Sequence, residues 1–218
     1  MDTGVRLLLV RHGETLWNQE NRWQGHADTP LSETGYTQAR QLARQLRVEG
    51  RRIQALYTSD LSRARQTAQI LGAALGVTPR HTKAWREMDI GTWSGLTTAE
   101  VIAQHAEEWE RLRAGEDVPR GGGETFAHFQ GRLLQSVEEL VRKHSGEHIV
   151  IITHGGAVRA FLLHCRGLDV NQFRQIEKIG NTGVSEVSVL PNGKTTIHAV
   201  NTMTHLDGGV LCGETVDA

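Results

Sequence analysis

The chain has 218 residues and a mass of 24.1 kDa, with 38% hydrophobic and 22% charged residues, a composition that excludes a wholly disordered chain. Its 25 acidic and 24 basic residues leave a formal charge of −1, which argues against a dedicated nucleic-acid binder. No apolar run approaches the roughly 18 residues needed to cross a bilayer, so we expect a cytoplasmic protein without a membrane partner. Cys165 and Cys212 form no Cys-x-x-Cys pair, and we expect neither a disulfide framework nor a cysteine zinc site.

The first half of the chain alternates between apolar runs of strand length and amphipathic segments of helical period. A buried strand is predicted where a run of branched residues ends at Arg11-His12-Gly13. In chain order we predict a strand at 5–10, a loop at 13–31, a helix from the N-cap Ser32 to about 49, a strand at 53–58, a helix that begins at Ser59-Asp60 and ends near Gly76, and a short strand at 78–82.

The second half begins with an irregular segment at 85–95, after which Thr97 and Glu100 form a capping-box pattern. The elements predicted next are one helix carrying Val101, His105, Trp109 and Leu112, an exposed loop at 115–124, a helix at 125–144, a strand at 148–153, a helix at 157–165, and a hairpin of strands 184–190 and 195–200 around Asn192-Gly193. The hairpin offers a sheet edge at which a second copy could pair, so a homodimer stays open.

Strands that alternate with helices predict a single α/β domain over residues 1–218. We expect a three-layer sandwich, with a mostly parallel central sheet flanked by helices. The stretch from about 89 to 125 looks like an insertion over one end of this sheet.

Candidate ligand-binding residues lie directly after several of the predicted strands. Arg11-His12-Gly13 follows the first predicted strand, and His154-Gly155-Gly156 follows another and opens a helix. The carboxyl ends of neighbouring parallel strands form the ligand crevice of an open α/β sheet, and a helix N-terminus there favours an anion. Arg63 lies at a third strand end, where a guanidinium can hold two phosphate oxygens. The pattern predicts a phosphate pocket that contains two histidines.

Six ordered motifs between residue 7 and about 160 carry a resemblance to the histidine phosphatase superfamily, the family of phosphoglycerate mutase and related phosphatases. The motifs are Leu9-Val10-Arg11-His12-Gly13-Glu14-Thr15-x-x-Asn18, Gln24-Gly25-x-x-Asp28-x-x-Leu31-x-x-x-Gly35, Thr58-Ser59-x-Leu61-x-Arg63-Ala64-x-x-Thr67-Ala68, Glu87-x-x-x-Gly91-x-Trp93-x-Gly95, Gly122-Gly123-Glu124-Thr125 and Thr153-His154-Gly155-Gly156-x-x-Arg159. The resemblance implies the phosphoglycerate mutase-like fold.

The resemblance also implies roles for individual residues. His12 is the expected nucleophile, which becomes a phosphohistidine, and Glu87 the expected general acid and base. Arg11, Arg63 and His154 are expected to hold the equatorial oxygens of the phosphoryl group. The residues expected to line the phosphate or the near end of the substrate are Asn18, Gln24, Gly25 and the backbone N–H of Gly155. This scheme needs no metal and no cofactor.

The motif after Glu87 favours a phosphatase over a mutase. The mutases continue with a lysine-containing stretch, whereas this chain has Trp93 and no lysine there. The expected partner is a small phosphorylated metabolite, such as phosphoserine, a phosphoglycerate derivative or a phosphosugar. The alternatives are a cofactor-dependent phosphoglycerate mutase, a non-catalytic binder of phosphorylated ligands and a metal-dependent hydrolase built on the histidines.

The predicted insertion could select the substrate. Trp109, Arg111, Arg113, Arg120 and the glycines at 121–123 are expected to cover the pocket, where the arginines either bind a second acid group or are simply solvated. The remaining histidines are taken as non-ligands by default, although His26 lies in a loop near the pocket, where it could touch the substrate. The tail at 201–206 resembles the end of the metal-independent phosphoserine phosphatases of the family.

Overall fold

The computed structural model describes residues 4–207, so the prediction for Cys212 lies outside the described part of the chain. The strands are β1 (Val5–Arg11), β2 (Ala55–Ser59), β3 (Pro79–Thr82), β4 (His148–Thr153), β5 (Val184–Val189) and β6 (Thr195–Thr202). The helices are α1 (Leu16–Gln19), α2 (Glu33–Val48), α3 (Ser62–Leu75), α4 (Thr98–Gln104), α5 (Ala106–Arg113), α6 (Phe126–Lys143) and α7 (Gly155–Cys165). Short 3-10 turns lie at Lys83–Trp85, Gly91–Trp93, Arg120–Gly122, Val170–Gln175 and Thr204–Leu206.

The six strands form one sheet in the order β3-β2-β4-β1-β5-β6. The pairs β3–β2, β2–β4 and β4–β1 are parallel, whereas β5 and β6 continue the sheet antiparallel. In the β1–β4 pair Arg11 lies opposite Thr153, so His12 and His154 each follow a strand end at the same level. The mostly parallel α/β architecture and the adjacency of the two histidine strands are confirmed.

Two apolar layers separate the sheet from its helices, because alternate side chains of a strand point to opposite faces. Leu8 and Val10 of β1 pack with the buried faces of α2 and α3, whereas Leu7 and Leu9 pack with those of α6 and α7. β1 and β4 are therefore covered on both sides, which explains why they are apolar throughout rather than alternating.

Local signals placed most helix ends correctly. Ser32, Thr97 and Thr125 accept hydrogen bonds as N-caps of α2, α4 and α6, and Gly76 ends α3 in the left-handed conformation. The first loop contains one short helix that was not predicted, α1, which begins after a capping box of Thr15 and Asn18.

Two predicted helix boundaries were wrong. The helix after Thr97 breaks at His105, whose φ of −130° and ψ of 42° are not helical, and a separate helix, α5, begins at Ala106. Helix α3 begins at Ser62 rather than at Ser59 and Asp60, because these two side chains bond to other segments, namely to His154 and Arg86.

An exposed loop was predicted at 115–124, and residues 115–117, Pro119 and Gly122 are exposed. Gly121 and Gly123 instead pack against the chain. Gly91 has a φ of 45°, and a Cβ on it would collide with the carbonyl oxygen of Gly121. A Cβ on Gly121 would collide in turn with the carbonyl of Ile90. Glycines here allow two backbone segments to approach within contact distance, so the two ends of the predicted insertion at about 89–125 pack against each other.

No helix within residues 4–207 is long and apolar enough to cross a membrane. The thiol of Cys165 is free, and burial raises its pKa to about 11.

Candidate active site

A cavity of about 280 Å³ opens at the carboxyl ends of β1 and β4. We call it the first chamber. Its lining residues are Arg11, His12, Asn18, Arg22, Gln24, Gly25, Arg63, Glu87, Gly155, Gly156, Arg159, Lys178 and Ile179. Eight of these thirteen are site residues predicted from the sequence, and basic side chains outnumber the single acidic one. The chamber therefore suits an anion.

His12 is 3% exposed, and its Nδ1 lies 2.7 Å from the carbonyl oxygen of Gly13. Because a carbonyl only accepts, Nδ1 carries the proton and Nε2 keeps its lone pair. Burial, and then the charges of Arg63 and Arg11, hold the pKa of His12 well below 6.5. The imidazole is therefore neutral at physiological pH, the state in which it can attack phosphorus.

Arg11 and Arg63 provide the buried positive charge. Arg11 Nη1 donates to the carbonyl of Ile179 at 2.6 Å, whereas its Nε is buried with no hydrogen-bond partner among the described residues. An unpartnered buried donor costs free energy, and a ligand oxygen would satisfy it. Burial lowers the pKa of Arg63 to about 10. This value is still well above neutral pH, so the guanidinium stays charged.

Arg63 is held rigidly by the loop that follows α1. Its Nη2 donates to the carbonyl of Gly25 at 2.8 Å and its Nη1 to that of Ala27 at 2.7 Å. Since a guanidinium has five N–H groups, a donor remains for a ligand in the chamber that Arg63 lines.

His154 is fully buried beside His12, with ring centroids 5.1 Å apart. Its Nδ1 accepts from Arg63 Nε at 3.2 Å, and its Nε2 lies 2.9 Å from Ser59 Oγ. Burial and then Arg63 lower the pKa of His154 well below 6.5, so the ring is neutral. Both ring nitrogens thus have protein partners, and His154 orients Arg63; its direct contact with a phosphate stays a prediction.

Glu87 faces the N-terminus of α7. The backbone N–H of Gly156 donates to Glu87 Oε2 at 2.9 Å, and the N–H of Met88 donates to Oε1 at 3.0 Å. This contact needs a glycine at position 156, because a Cβ there would collide with Glu87 Oε1. The carboxyl group is fixed at the chamber wall, within the same cavity as His12.

The predicted substrate contacts Asn18, Gln24 and Gly25 all line the first chamber, as does Gly155. The Asn18 side-chain oxygen accepts from the backbone N–H of Thr15 at 3.1 Å, which leaves the Asn18 amide donors for a ligand. Gln24 bonds to Thr15 Oγ1 at 2.9 Å and accepts from Thr29 at 2.7 Å, so its place in the wall is fixed.

Two supporting residues were missed by sequence reasoning. Asn181 Nδ2 donates both to the carbonyl of His12 at 3.1 Å and to the side-chain oxygen of Asn18 at 3.2 Å. Arg132 Nη2 donates to the carbonyl of Glu87 at 2.7 Å while its Nε pairs with Glu124 at 2.7 Å. The Gly-Gly-Glu-Thr motif pointed to Glu124, but nothing in the sequence pointed to the arginine that connects it to Glu87.

The last described residues support the same site. The Asn201 side chain accepts from the backbone N–H of Gly180 at 2.8 Å, and His205 Nε2 lies 2.8 Å from Thr182 Oγ1. The Thr182 N–H donates to the carbonyl of Arg11 at 3.0 Å. The tail segment therefore holds the loop on which Arg11 rests.

A second cavity of about 250 Å³ adjoins the first and shares Gln24, Gly25, Glu87, Gly156 and Arg159 with it. We call it the second chamber. Its remaining lining residues are Trp23, Met88, Ile90, Arg120, Phe126, Phe129 and Phe173. Glu87 lies in the wall of both chambers, so the two cavities meet at its carboxyl group.

Of the predicted covering residues, Arg120 alone lines a chamber. Arg111 and Arg113 are exposed. Arg111 lies 2.9 Å from Glu116, and Arg113 lies 3.6 Å from Glu110. Trp109 packs against two other tryptophan rings instead of reaching the cavity. His26 lines neither chamber, and its Nε2 lies 2.9 Å from the backbone carbonyl oxygen of Glu87, as the default interpretation of a non-ligand histidine expects.

Among residues 4–207, no cluster of three histidine, cysteine or acidic side chains is arranged to hold a metal ion. The arrangement that is present offers a neutral imidazole, two buried guanidinium groups and a carboxyl group around one cavity. These groups can transfer a phosphoryl group through the imidazole, with the arginines stabilising its oxygens and the carboxyl group moving the proton.

Fold and site together define an α/β enzyme that transfers phosphoryl groups. The sequence profile of the histidine phosphatase superfamily (branch 1) matches residues 7–202, and the chain belongs to this family. It is a hydrolase of the histidine-phosphatase type that works through a phosphohistidine.

Two curated relatives come from Arabidopsis thaliana. A phosphoglycerate mutase-like protein 4 is 36% identical over 207 residues, 93% of this chain and 87% of the relative. A metal-independent phosphoserine phosphatase is 33% identical over 207 residues, 93% of this chain and 83% of the relative. The structure of a mycobacterial glucosyl-3-phosphoglycerate phosphatase complexed with VO3 superposes with a TM-score of 0.82 at 30% identity, covering 90% of this chain and 99% of that one.

Proposed function

We propose that the protein is a metal-independent phosphomonoesterase that acts on a small phosphorylated metabolite, with His12 as its nucleophile. The observation that supports this proposal most directly is the environment of His12. Its neutral imidazole, with Nδ1 hydrogen-bonded to the Gly13 carbonyl, lines the same cavity as Arg11, Arg63 and Glu87.

In the first step the Nε2 lone pair forms a bond to phosphorus while the bond from phosphorus to the alcohol oxygen breaks. Arg11, Arg63 and the Asn18 amide hold the equatorial oxygens, where negative charge lies in the transition state. Glu87 gives its proton to the departing alcohol oxygen. His154 takes part by holding Arg63 in place and by lying against the His12 ring.

In the second step Glu87 takes a proton from water. The water oxygen bonds to phosphorus, the bond from phosphorus to Nε2 breaks, and inorganic phosphate is released. The carboxyl group then carries the proton needed for the next substrate. Gly156 N–H and Met88 N–H keep it at the same wall through both steps.

The test is incubation of the wild-type chain with a panel of phosphomonoesters in the presence of a chelator, combined with ³²P labelling. We expect phosphate release with chelator present and an acid-labile, alkali-stable label on the wild-type protein. His12→Ala should lose both label and turnover, since no other group in the chamber can accept the phosphoryl group. His128→Ala, a change on the exposed face of α6, is the matched control and should keep both.

The panel also decides between the alternatives. Interconversion of phosphoglycerates without net phosphate release would identify a mutase instead. Binding without either reaction would identify a phospho-ligand binder, and activity that disappears with the chelator would identify a metal-dependent hydrolase.

We propose further that residues 1–218 form one histidine phosphatase domain, in which the segment from about 89 to 125 covers the active site. Ile90 and Arg120, both in this segment, line the second chamber, which supports the proposal. A cytoplasmic location, and the lack of nucleic-acid or membrane partners, remain part of the proposal. A homodimer paired along the β6 edge stays a prediction.

A further inference from the structure

We propose that the second chamber selects a phosphorylated hydroxy acid: the alcohol part of the substrate has an apolar body and a carboxylate that binds Arg120, and it carries no ammonium group. This inference rests on the proposed function, because it assigns the part of the substrate that leaves from phosphorus.

The walls of the second chamber determine the body of the leaving group. Four aromatic rings, those of Trp23, Phe126, Phe129 and Phe173, contribute to its lining. Met88 and Ile90 add apolar surface next to Glu87. An apolar chain gains from burial in such a space, whereas the many hydroxyls of a sugar would lose their hydrogen bonds to water.

Arg120 supplies the charge that an acid group needs. Its Nη1 lies 2.8 Å from Met88 Sδ, a weak acceptor, and it makes no ion pair with an acidic side chain among the described residues. Burial lowers the pKa of Arg120, with Asp117 and then Glu87 acting in the opposite direction. A half-buried guanidinium without a carboxylate partner is a place where a ligand carboxylate gains both charge and hydrogen bonds.

Backbone contacts keep Arg120 in this position. Its carbonyl accepts from the Gly123 N–H at 2.9 Å, and its own N–H donates to the carbonyl of Glu124 at 3.2 Å. Glu124 N–H in turn donates to the carbonyl of Asp89 at 2.8 Å, two residues after Glu87. The distance from Arg120 to the reacting end of the substrate is thus set by the packed glycine loop.

The charges facing both chambers disfavour an ammonium group. Among the described lining residues the basic side chains are Arg11, Arg22, Arg63, Arg120, Arg159 and Lys178, and the only acidic one is Glu87. Both Glu87 oxygens already accept backbone N–H groups, and this carboxyl group must serve the alcohol oxygen. A phosphorylated amino acid would therefore bring its positive charge into a positive field without a partner.

Three esters with the same three-carbon chain test the proposal: propyl phosphate, 3-(phosphonooxy)propanoate and phosphoserine. We expect kcat/KM to rise about tenfold or more from propyl phosphate to the propanoate, as one charge-assisted hydrogen bond allows. We expect it to fall again, by roughly tenfold, when the ammonium group of phosphoserine is added. The gain from the carboxylate should appear mainly in KM, because that group takes no part in bond breaking.

Variants at Arg120 assign the effect to this residue. Arg120→Gln should bring the propanoate-to-propyl ratio of kcat/KM close to one, and Arg120→Lys should restore part of it. Arg113→Gln is the matched control, since this exposed arginine lies outside both chambers, and it should keep the wild-type ratio. The comparison of the three esters on the wild-type protein tests the carboxylate preference by itself, so it stays decisive even if one variant folds poorly.

Failure of the inference and failure of the proposed function give different results. No hydrolysis of these three esters, with turnover of another phosphomonoester of the panel, would refute this inference alone, whereas no hydrolysis of any phosphomonoester would refute the proposed function as well. Hydrolysis of all three with equal kcat/KM would refute only the carboxylate site. A preference for phosphoserine over the propanoate would refute the exclusion of the ammonium group, and an unchanged ratio in Arg120→Gln would refute the assignment to Arg120.

Discussion

Gly156→Ala separates the stability of helix α7 from the placement of the Glu87 carboxyl group. Gly156 lies in the first turn of α7, where alanine is favoured over glycine by about 0.5–1 kcal/mol. The new Cβ would collide with Glu87 Oε1 and lie 3.0 Å from its Cδ, so the flexible end of the glutamate must move away. The hydrogen bond from Gly156 N–H to Oε2 would be strained or lost, at a cost of about 0.5–1.5 kcal/mol.

The two contributions oppose each other, so we expect the melting temperature of Gly156→Ala to stay within a few degrees of wild type, at about 2–4 °C per kcal/mol for a chain of this length. Activity should change far more. A displaced general acid costs about 10²- to 10⁴-fold, and we expect a loss of this size on an alkyl phosphate. On p-nitrophenyl phosphate, whose leaving group departs without a proton, the loss should be much smaller.

Gly131→Ala is the control, because Gly131 lies on the exposed face of α6 with nothing near the position of its Cβ. It should raise the melting temperature slightly and leave both activities unchanged. Calorimetry gives the melting temperature of each variant, and steady-state kinetics give its activity on the two esters. Full alkyl-phosphatase activity in a folded Gly156→Ala would refute the assignment of Glu87 to the leaving oxygen.

Two further predictions concern Glu87 and the two buried histidines. Glu87→Gln should slow hydrolysis of alkyl phosphates much more than that of p-nitrophenyl phosphate; equal losses, measured as kcat/KM, would count against Glu87 as the acid. His12 and His154 have pKa values well below 6.5 because burial disfavours the imidazolium, so below about pH 6.5 the unfolded chain binds more protons than the folded one. The free energy of unfolding should therefore fall as the pH falls, by at most about 1.4 kcal/mol per histidine and pH unit, and urea unfolding of wild type and His154→Gln should show a weaker dependence in the variant.

The sequence was informative where one local pattern determines one element. The apolar runs before His12 and His154 predicted β1 and β4, since a strand covered on both faces must be apolar at every position. The helical period of the α6 sequence and the N-caps at Ser32 and Thr97 are also signals within one short segment, and each predicted its helix correctly. The reacting groups followed from the same strands, because a ligand crevice forms where parallel strands end.

Contacts between distant segments could not be predicted in this way. The apolar stripe after Thr97 continues across His105, so the period alone gave no sign of the break between α4 and α5. The glycines at 121–123 have the composition of an open loop, and their packing depends on Gly91, some thirty positions earlier. Asn181 and Arg132 bind backbone carbonyls, which every residue has, so no spacing in the sequence marks their partners.

The pairing of β1 with β4 separates the reaction chemistry from the choice of substrate. Backbone hydrogen bonds between these strands set the spacing of His12 and His154, whereas the second chamber takes its lining from segments outside both strands. The stretch 90–123, which leaves Glu87 and Glu124 in place, could therefore be exchanged for that of another phosphatase of this fold without moving the nucleophile. The accepted alcohol would change, and the phosphoryl-transfer step would not, which makes this stretch the natural place to engineer new specificity.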